Sequence, residues 1–238
     1  IYLIRHAEAE GNLYRRIHGW YDALVTENGY KQIEALKNRF EQIHIDAVYS
    51  SDLFRTMTTA RAIYEPKGLE LHTDPGLREM NLGDWEDKTW GEMRQFNGAE
   101  LDRFNVSDPT WQAPNGESFQ EVRDRGSAAI LDIAAQHEGQ TVAIFAHGTL
   151  IRNSLAAFQG IGPEGIPSVE CLVDEEVVVT RMNDQVAREV IRDAGVDPRG
   201  KQVIWEALHS DTYGMTVEDF FAHAVLVDRA VNGMVTVA

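Results

Sequence analysis

Six residues of this 238-residue chain have the chemistry to bind and transfer a charged group: Arg5, His6, Asn12, Arg55, Glu79 and His147. They are far apart in the chain, yet each lies next to the end of an expected strand or in a loop. Singly they mean little, because a lone histidine is more often a satisfied structural residue and a lone arginine is more often solvated. Together they would mean more. Two guanidinium groups and an imidazole in one crevice leave positive charge that is costly to bury without an anion. Guanidinium forks present paired N–H donors that match phosphate oxygens, and Asn12 adds an amide donor from the loop after the first strand. These residue types therefore predict a pocket for a phosphoryl group rather than for a carboxylate alone.

Positioning them requires a sheet. Residues 1–4 form an apolar run that ends in Arg5 and His6, and Ala47, Val48 and Tyr49 form another that ends at Ser50, Ser51 and Asp52. TVAIFAHG at 141–148 forms a third, ending on His147 and Gly148. Helical patterns alternate with these strands. TENGYKQIEALKNRF carries Tyr30, Ile33, Leu36 and Phe40 on one stripe, and LFRTMTTARAIY predicts a helix over about 52–64, with Leu53, Met57, Ala60 and Tyr64 in phase. Asp52 or Ser51 is the expected N-cap of that helix. SFQEVRDRGSAAILDIAAQ opens with a capping box, Ser118 and Glu121, and continues through Val122, Ala129, Ile130 and Ile133. TLIRNSLAAF follows the third strand as another helix. The alternation predicts an α/β fold, a three-layer α/β/α arrangement with a mostly parallel central sheet. Ligands of such folds bind outside the carboxyl ends of the strands, where Arg5, His6 and His147 fall.

Thirty-eight acidic against twenty-two basic residues give a formal charge of −16. That balance argues against broad binding to nucleic acid or an anionic membrane, so any anion site must be local. Cys171 is the single cysteine, which rules out an internal disulfide and fits a reducing, cytoplasmic setting. No run of 18 apolar residues occurs, and the start at Ile1, with no charged segment before it, reads as trimmed rather than as a signal peptide.

The expected organisation is one domain over 1–197 and an extension over 198–238. Residues 80–117, weak in periodicity and rich in Trp, Asn and Pro, form an excursion that could roof the pocket. Trp85, Trp90 and Trp111 lie there, and their expected role is to plug gaps in a small subdomain. ECLVDEEVVVTRM at 170–182 suggests one or two further strands and VAREVIRDA at 186–194 a helix. The extension, with Trp205, Phe220 and Phe221, is too apolar for a disordered linker and has no assigned structure.

Other motifs carry less. GVDPRGK at 195–201 has P-loop spacing, but Gln202 stands where a metal-binding Ser or Thr belongs and Asp197 would aim a carboxylate at the phosphates. No GxSxG elbow or HExxH zinc motif is present, and Cys171 has no nucleophile signature. Arg61 and Arg78 are expected in surface or structural ion pairs.

RHAE at 5–8 and AHG at 146–148 resemble the histidine phosphatases, the phosphoglycerate mutase-like superfamily. GWYDALVTENGYKQ at 19–32, SSDLFRTMTTA at 50–60, LREMNLGDWE at 77–86 and PNGESFQEV at 114–122 extend the resemblance, in order, across residues 1 to about 158. It implies that His6 attacks phosphorus to form a phosphohistidine while Arg5, Asn12, Arg55 and His147 hold the phosphoryl oxygens. It implies that Glu79 protonates the leaving alkoxide and then draws a proton from the hydrolytic water, without metal or organic cofactor. Ala7 stands where many members have glycine and Ala9 where Ser or Thr is frequent, and the second change removes one phosphate donor. The activity implied is a histidine acid phosphatase-type phosphomonoesterase acting on a small phosphorylated metabolite and binding inorganic phosphate. A cofactor-dependent phosphoglycerate mutase and a non-catalytic phospholigand-binding protein are the alternatives. No nucleic acid or membrane partner is expected, and the oligomeric state, homodimer included, stays open.

Overall fold

A computed structural model describes residues 1–162, 165 and 166, and the backbone of 236 and 237. Three parallel strands form its centre: β1 (Tyr2–Arg5), β2 (Ala47–Ser50) and β4 (Val142–Ala146). Two further strands, β3 (Leu71–Thr73) and β5 (Thr236–Val237), complete the order β3-β2-β4-β1-β5, with only β5 antiparallel. The seven α-helices among the described residues are α1 (Glu10–Leu13), α2 (Glu27–Phe40), α3 (Phe54–Lys67), α4 (Trp90–Phe96), α5 (Gly98–Asn105), α6 (Phe119–Gln136) and α7 (Gly148–Phe158).

Strand side chains alternate between two faces, and both faces are apolar, as a sheet covered on both sides requires. Leu3, Ala47, Val142, Ile144 and Ala146 share one core with Val122, Ile130 and Ile133 of α6 and Leu150, Ile151 and Leu155 of α7. Ile4, Val48, Ala143 and Phe145 share the other with Leu36 and Phe40 of α2 and Ala60 and Ile63 of α3. Helix, sheet and helix thus form the three layers. Gly126 lets α6 approach α7 closely: a Cβ there would lie 2.8 Å from Ser154 Oγ and 2.9 Å from Leu150 Cγ.

Two helical readings need correction. The helix expected over 52–64 runs from Phe54 to Lys67, and its N-cap is Leu53, which makes no side-chain cap bond. Ser51 and Asp52 are engaged elsewhere, with His147 and Arg78 respectively. The α2 stripe is narrower than expected, because Tyr30 is 51% exposed while buried Gln32 faces inward and accepts from the backbone N–H of Glu8. The α6 capping box is present, with Ser118 Oγ accepting from the Glu121 N–H and the Glu121 carboxylate accepting from the Ser118 N–H. Strand β3 escaped the sequence reading, since three residues show no usable alternation. The expected elements at 170–182 and 186–194, GVDPRGK, Cys171 and most of 198–238 lie outside the described residues.

Candidate active site

Strand register brings the two motif histidines together. Arg5 pairs with Ala146 at the ends of β1 and β4, and the His6 N–H donates to the Ala146 carbonyl at 3.1 Å. The next residue of each strand therefore leaves the sheet at the same edge, and the His6 and His147 rings stand 5.2 Å apart between centroids. Strand β2, on the other side of β4, delivers Ser51, whose N–H donates to the Phe145 carbonyl, and then α3 with Arg55.

A pocket of about 240 Å³ opens at this edge, walled by Arg5, His6, Asn12, Arg55 and Glu79 among others. Five of the six residues anticipated from sequence thus converge. The sixth, His147, is wholly buried beside His6 and is not itself part of the wall. The excursion after residue 80 contributes Leu82, Trp90 and Phe104 to the wall, whereas Trp85 and Trp111 are buried in the core with ring centroids 4.9 Å apart.

His6 is 5% exposed, and its Nδ1 lies 2.7 Å from the Ala7 carbonyl. That carbonyl accepts a proton only from Nδ1–H, which makes Nε2 the bare nitrogen at the pocket. Burial first, then the Arg55 and Arg5 charges, hold the His6 pKa well below its ordinary value, so the ring is uncharged. The Ala7 backbone N–H is held by Thr59 Oγ1, which fixes the turn carrying His6.

Arg55 is completely buried, and its Nη1 and Nη2 donate to the carbonyls of Tyr21 and Gly19 at 3.1 and 2.8 Å. Its Nε is buried without a partner among the described residues. His147 Nε2 bonds Ser51 Oγ at 2.8 Å, and Ser51 Oγ bonds Thr56 Oγ1 at 2.7 Å. His147 Nδ1, like Arg55 Nε, has no partner among the described residues. Orphaned buried polar atoms are rare in folded proteins, and several around one pocket mark the place of a polar ligand. Asn12 uses its Oδ1 to accept from the Ala9 N–H, which leaves its amide nitrogen as the group available to a ligand.

The Glu79 carboxylate sits at the start of α7, accepting from the N–H groups of Thr149, Leu150 and Met80. The acid-bearing segment lacks regular structure, so its placement depends on side chains that the sequence reading did not single out. Glu86 clamps the neighbouring loop by accepting from the N–H groups of Trp20, Tyr21 and Leu82. His18, also missed, lines the pocket with its ring 6.5 Å from His6, and burial with the Arg55 and Arg5 charges lowers its pKa to about 4. It sits in an irregular loop where no periodicity signals an inward side chain. Arg78 forms a two-point ion pair with Asp52, and Arg61 pairs with Glu65 on the surface. Among the described residues no group of three or more His, Cys, Asp or Glu side chains could hold a metal ion, and no helix is long and apolar enough to cross a membrane.

Comparison with known proteins adds an independent line. A probable phosphoglycerate mutase, GpmB, of Serratia proteamaculans is 34% identical over 161 residues, covering 68% of this chain and 75% of the relative. Phosphoserine phosphatase 1 of Hydrogenobacter thermophilus is 30% identical over 159 residues, covering 67% and 75%. The solved structure of YhfR from Bacillus stearothermophilus superposes with a TM-score of 0.68 at 34% identity, covering 71% of this chain and 84% of that one. Residues 1–192 match the family model of the histidine phosphatase superfamily, branch 1. A buried histidine at the ends of paired parallel strands, two arginines on the same pocket wall and relatives of both mutase and phosphatase name agree with the family match: the chain belongs to the histidine phosphatase superfamily.

Proposed function

We propose that the chain is a metal-independent phosphatase that hydrolyses small phosphomonoesters through a phosphohistidine on His6. The observation that carries this reading is the fixed His6 ring, with Nδ1 engaged by the Ala7 carbonyl and Nε2 left bare at a pocket whose wall also holds Arg5 and Arg55. A neutral imidazole is a competent nucleophile, and phosphoryl transfer depends chiefly on positioning and charge stabilisation.

In the first step the Nε2 lone pair forms the N–P bond, the P–O bond to the organic group breaks, and Glu79 gives its proton to the departing alkoxide. In the second, water attacks phosphorus, the P–N bond breaks, the water proton passes to the Glu79 carboxylate, and inorganic phosphate leaves. Arg5, Asn12 and Arg55 hold the phosphoryl oxygens, and His147 supplies a donor from Nδ1 when Ser51 keeps its proton there. A pocket of about 240 Å³ suits a small phosphorylated metabolite. Residues 1–197 are the unit to which we assign this activity, with 80–117 as its cap, and the cytoplasm is its proposed setting.

The test is phosphate release from a panel of phosphorylated metabolites in the presence of a chelator, with His6→Ala as control. Release abolished by chelation, or retained in His6→Ala, refutes the proposal. The relative named as a probable phosphoglycerate mutase favours a second reading, a cofactor-dependent mutase acting through the same histidine. Formation of 2-phosphoglycerate from 3-phosphoglycerate with bisphosphoglycerate present, without net phosphate release, decides for it.

A further inference from the structure

Two consecutive residues of α6 control both supports of Glu79. Gly126 sets how closely α7 approaches, and the first N–H groups of α7 hold the Glu79 carboxylate. Arg125 holds its backbone. Arg125 Nη1 donates to the carbonyls of Gly76 and Arg78, both at 3.0 Å, and Nη2 donates to the Glu79 carbonyl at 3.2 Å. Nε and Nη2 also form a forked pair with Glu117, both bonds 2.8 Å long. Glu117 in turn accepts from the Asn81 N–H at 2.8 Å. The only regular structure in this stretch is two short 3-10 turns, Pro75–Leu77 and Gly83–Trp85, so the backbone groups between them have no helix or strand ladder to satisfy them. The Arg125–Glu117 pair, largely shielded from solvent, fills much of that role, with Glu86 accepting from the Leu82 N–H and Trp20 Nε1 also donating to the Glu79 carbonyl at 2.8 Å.

We propose that Arg125 and Glu117 are a positioning pair for Glu79, fixing its carboxyl where it can pass a proton to the leaving group. The proposal rests on the acid role assigned to Glu79 above. General acids act only within hydrogen-bond reach of the proton's destination, and a shift of about 1 Å can cost on the order of 10²-fold in rate.

Leaving-group chemistry separates positioning from general support of the fold. The phenolate of 4-nitrophenyl phosphate departs without a proton, whereas the alkoxide of glycerol 2-phosphate needs one. In Arg125→Met we expect kcat/KM for glycerol 2-phosphate to fall by about 10²-fold, and that for 4-nitrophenyl phosphate by no more than about 3-fold. Glu79→Gln should show the same selectivity, and adding Arg125→Met to it should cost little more. Equal losses on both substrates, or additive losses in the double variant, overturn the proposal. Should Arg125→Met fail to fold, Glu117→Gln carries the test. It keeps the arginine and weakens only the fork, so a smaller loss with the same selectivity is expected, and an unselective loss overturns the proposal. If Glu79→Gln itself is unselective, the acid assignment falls and the positioning role falls with it. A selective Glu79→Gln beside unselective Arg125 and Glu117 variants overturns the positioning role alone.

Discussion

The imidazoles of His6 and His147 stand 5.2 Å apart and inclined at 56°, on the C-terminal ends of neighbouring strands. With His18 they form a buried set whose pKa values all lie below the ordinary value, mainly because burial disfavours charge and next because of Arg55. A folded pKa below the unfolded one means that the unfolded chain binds more protons, so this stability is complete above about pH 6.5 and is lost as pH falls towards the folded values. For His18, with a folded pKa of about 4, the loss is on the order of 3 kcal/mol by the bottom of the window. Asp52 and Asp108 have lowered pKa values too, but their contributions are lost only below the ordinary carboxylate range. Urea unfolding of the ligand-free protein should therefore show stability falling between pH 6.5 and 4.5, with His18→Gln flattening part of the slope. A flat profile over that window contradicts the argument.

Arg55 serves the loop and the pocket at once. Its Nη atoms satisfy two carbonyls of the Gly19–Tyr21 turn, and its Nε, without a partner among the described residues, is the donor the proposed phosphoryl site would use. Lysine is a single point charge and cannot span the three directions. Arg55→Lys should lower kcat/KM by about 10²-fold or more on any phosphomonoester and cost on the order of 1–3 kcal/mol of stability. Phosphate-release kinetics beside urea melts check both; activity within about 3-fold of the parent would remove Arg55 from the phosphoryl site.

The sheet and the place of Arg5 and His6 were legible because apolar runs ending in polar residues mark strand ends, and a parallel sheet collects those ends on one side. Asn12, which sits in α1 rather than in a loop, Arg55 in α3 and Glu79 in an irregular segment were singled out by residue type and surrounding motif alone. What the sequence hid follows from side chains with two plausible uses. Ser51 and Asp52 have the types of helix caps, yet Ser51 is shared between Thr56 and the buried His147, and Asp52 forms a charge-assisted pair with Arg78. The buried face of α3 mixes Arg55, Thr56 and Thr59 with Ala60 and Ile63, so apolar spacing marked the helix but not the polar side chains it turns inward. Arg125, Glu117 and His18 act through irregular loops, where position is set by individual hydrogen bonds rather than by a repeating pattern.

Ser51 is expected to matter through His147. Its hydroxyl, backed by Thr56, is the partner of His147 Nε2, and by donating there it would keep the ring proton on Nδ1. Ser51→Ala removes that control and leaves Nε2 buried without a partner, at a cost of about 1–3 kcal/mol. kcat/KM should fall by roughly 10-fold, about what a donor held in the wrong tautomer part of the time would lose. Unchanged kinetics in a destabilised Ser51→Ala protein would confine the hydroxyl to a structural role.

Gly11 and His18 make a prediction that a double-mutant cycle can settle. A Cβ on Gly11 would fall 1.8 Å from His18 Nε2, a separation no real contact reaches, so in Gly11→Ala the imidazole must leave its place on the pocket wall. We expect weaker inhibition by inorganic phosphate, by about 10-fold, and destabilisation of roughly 1–3 kcal/mol. A His18→Ala background removes the three atoms nearest that Cβ. The same substitution should there stabilise the protein by about 0.5–1 kcal/mol, because alanine forms helix better than glycine and Gly11 lies inside α1. Urea melts of the four proteins give the coupling directly. A change of sign between the two backgrounds supports close packing of the imidazole on the glycine, and an equal cost in both would show that the helix at residue 11 rejects a side chain for a reason unrelated to His18.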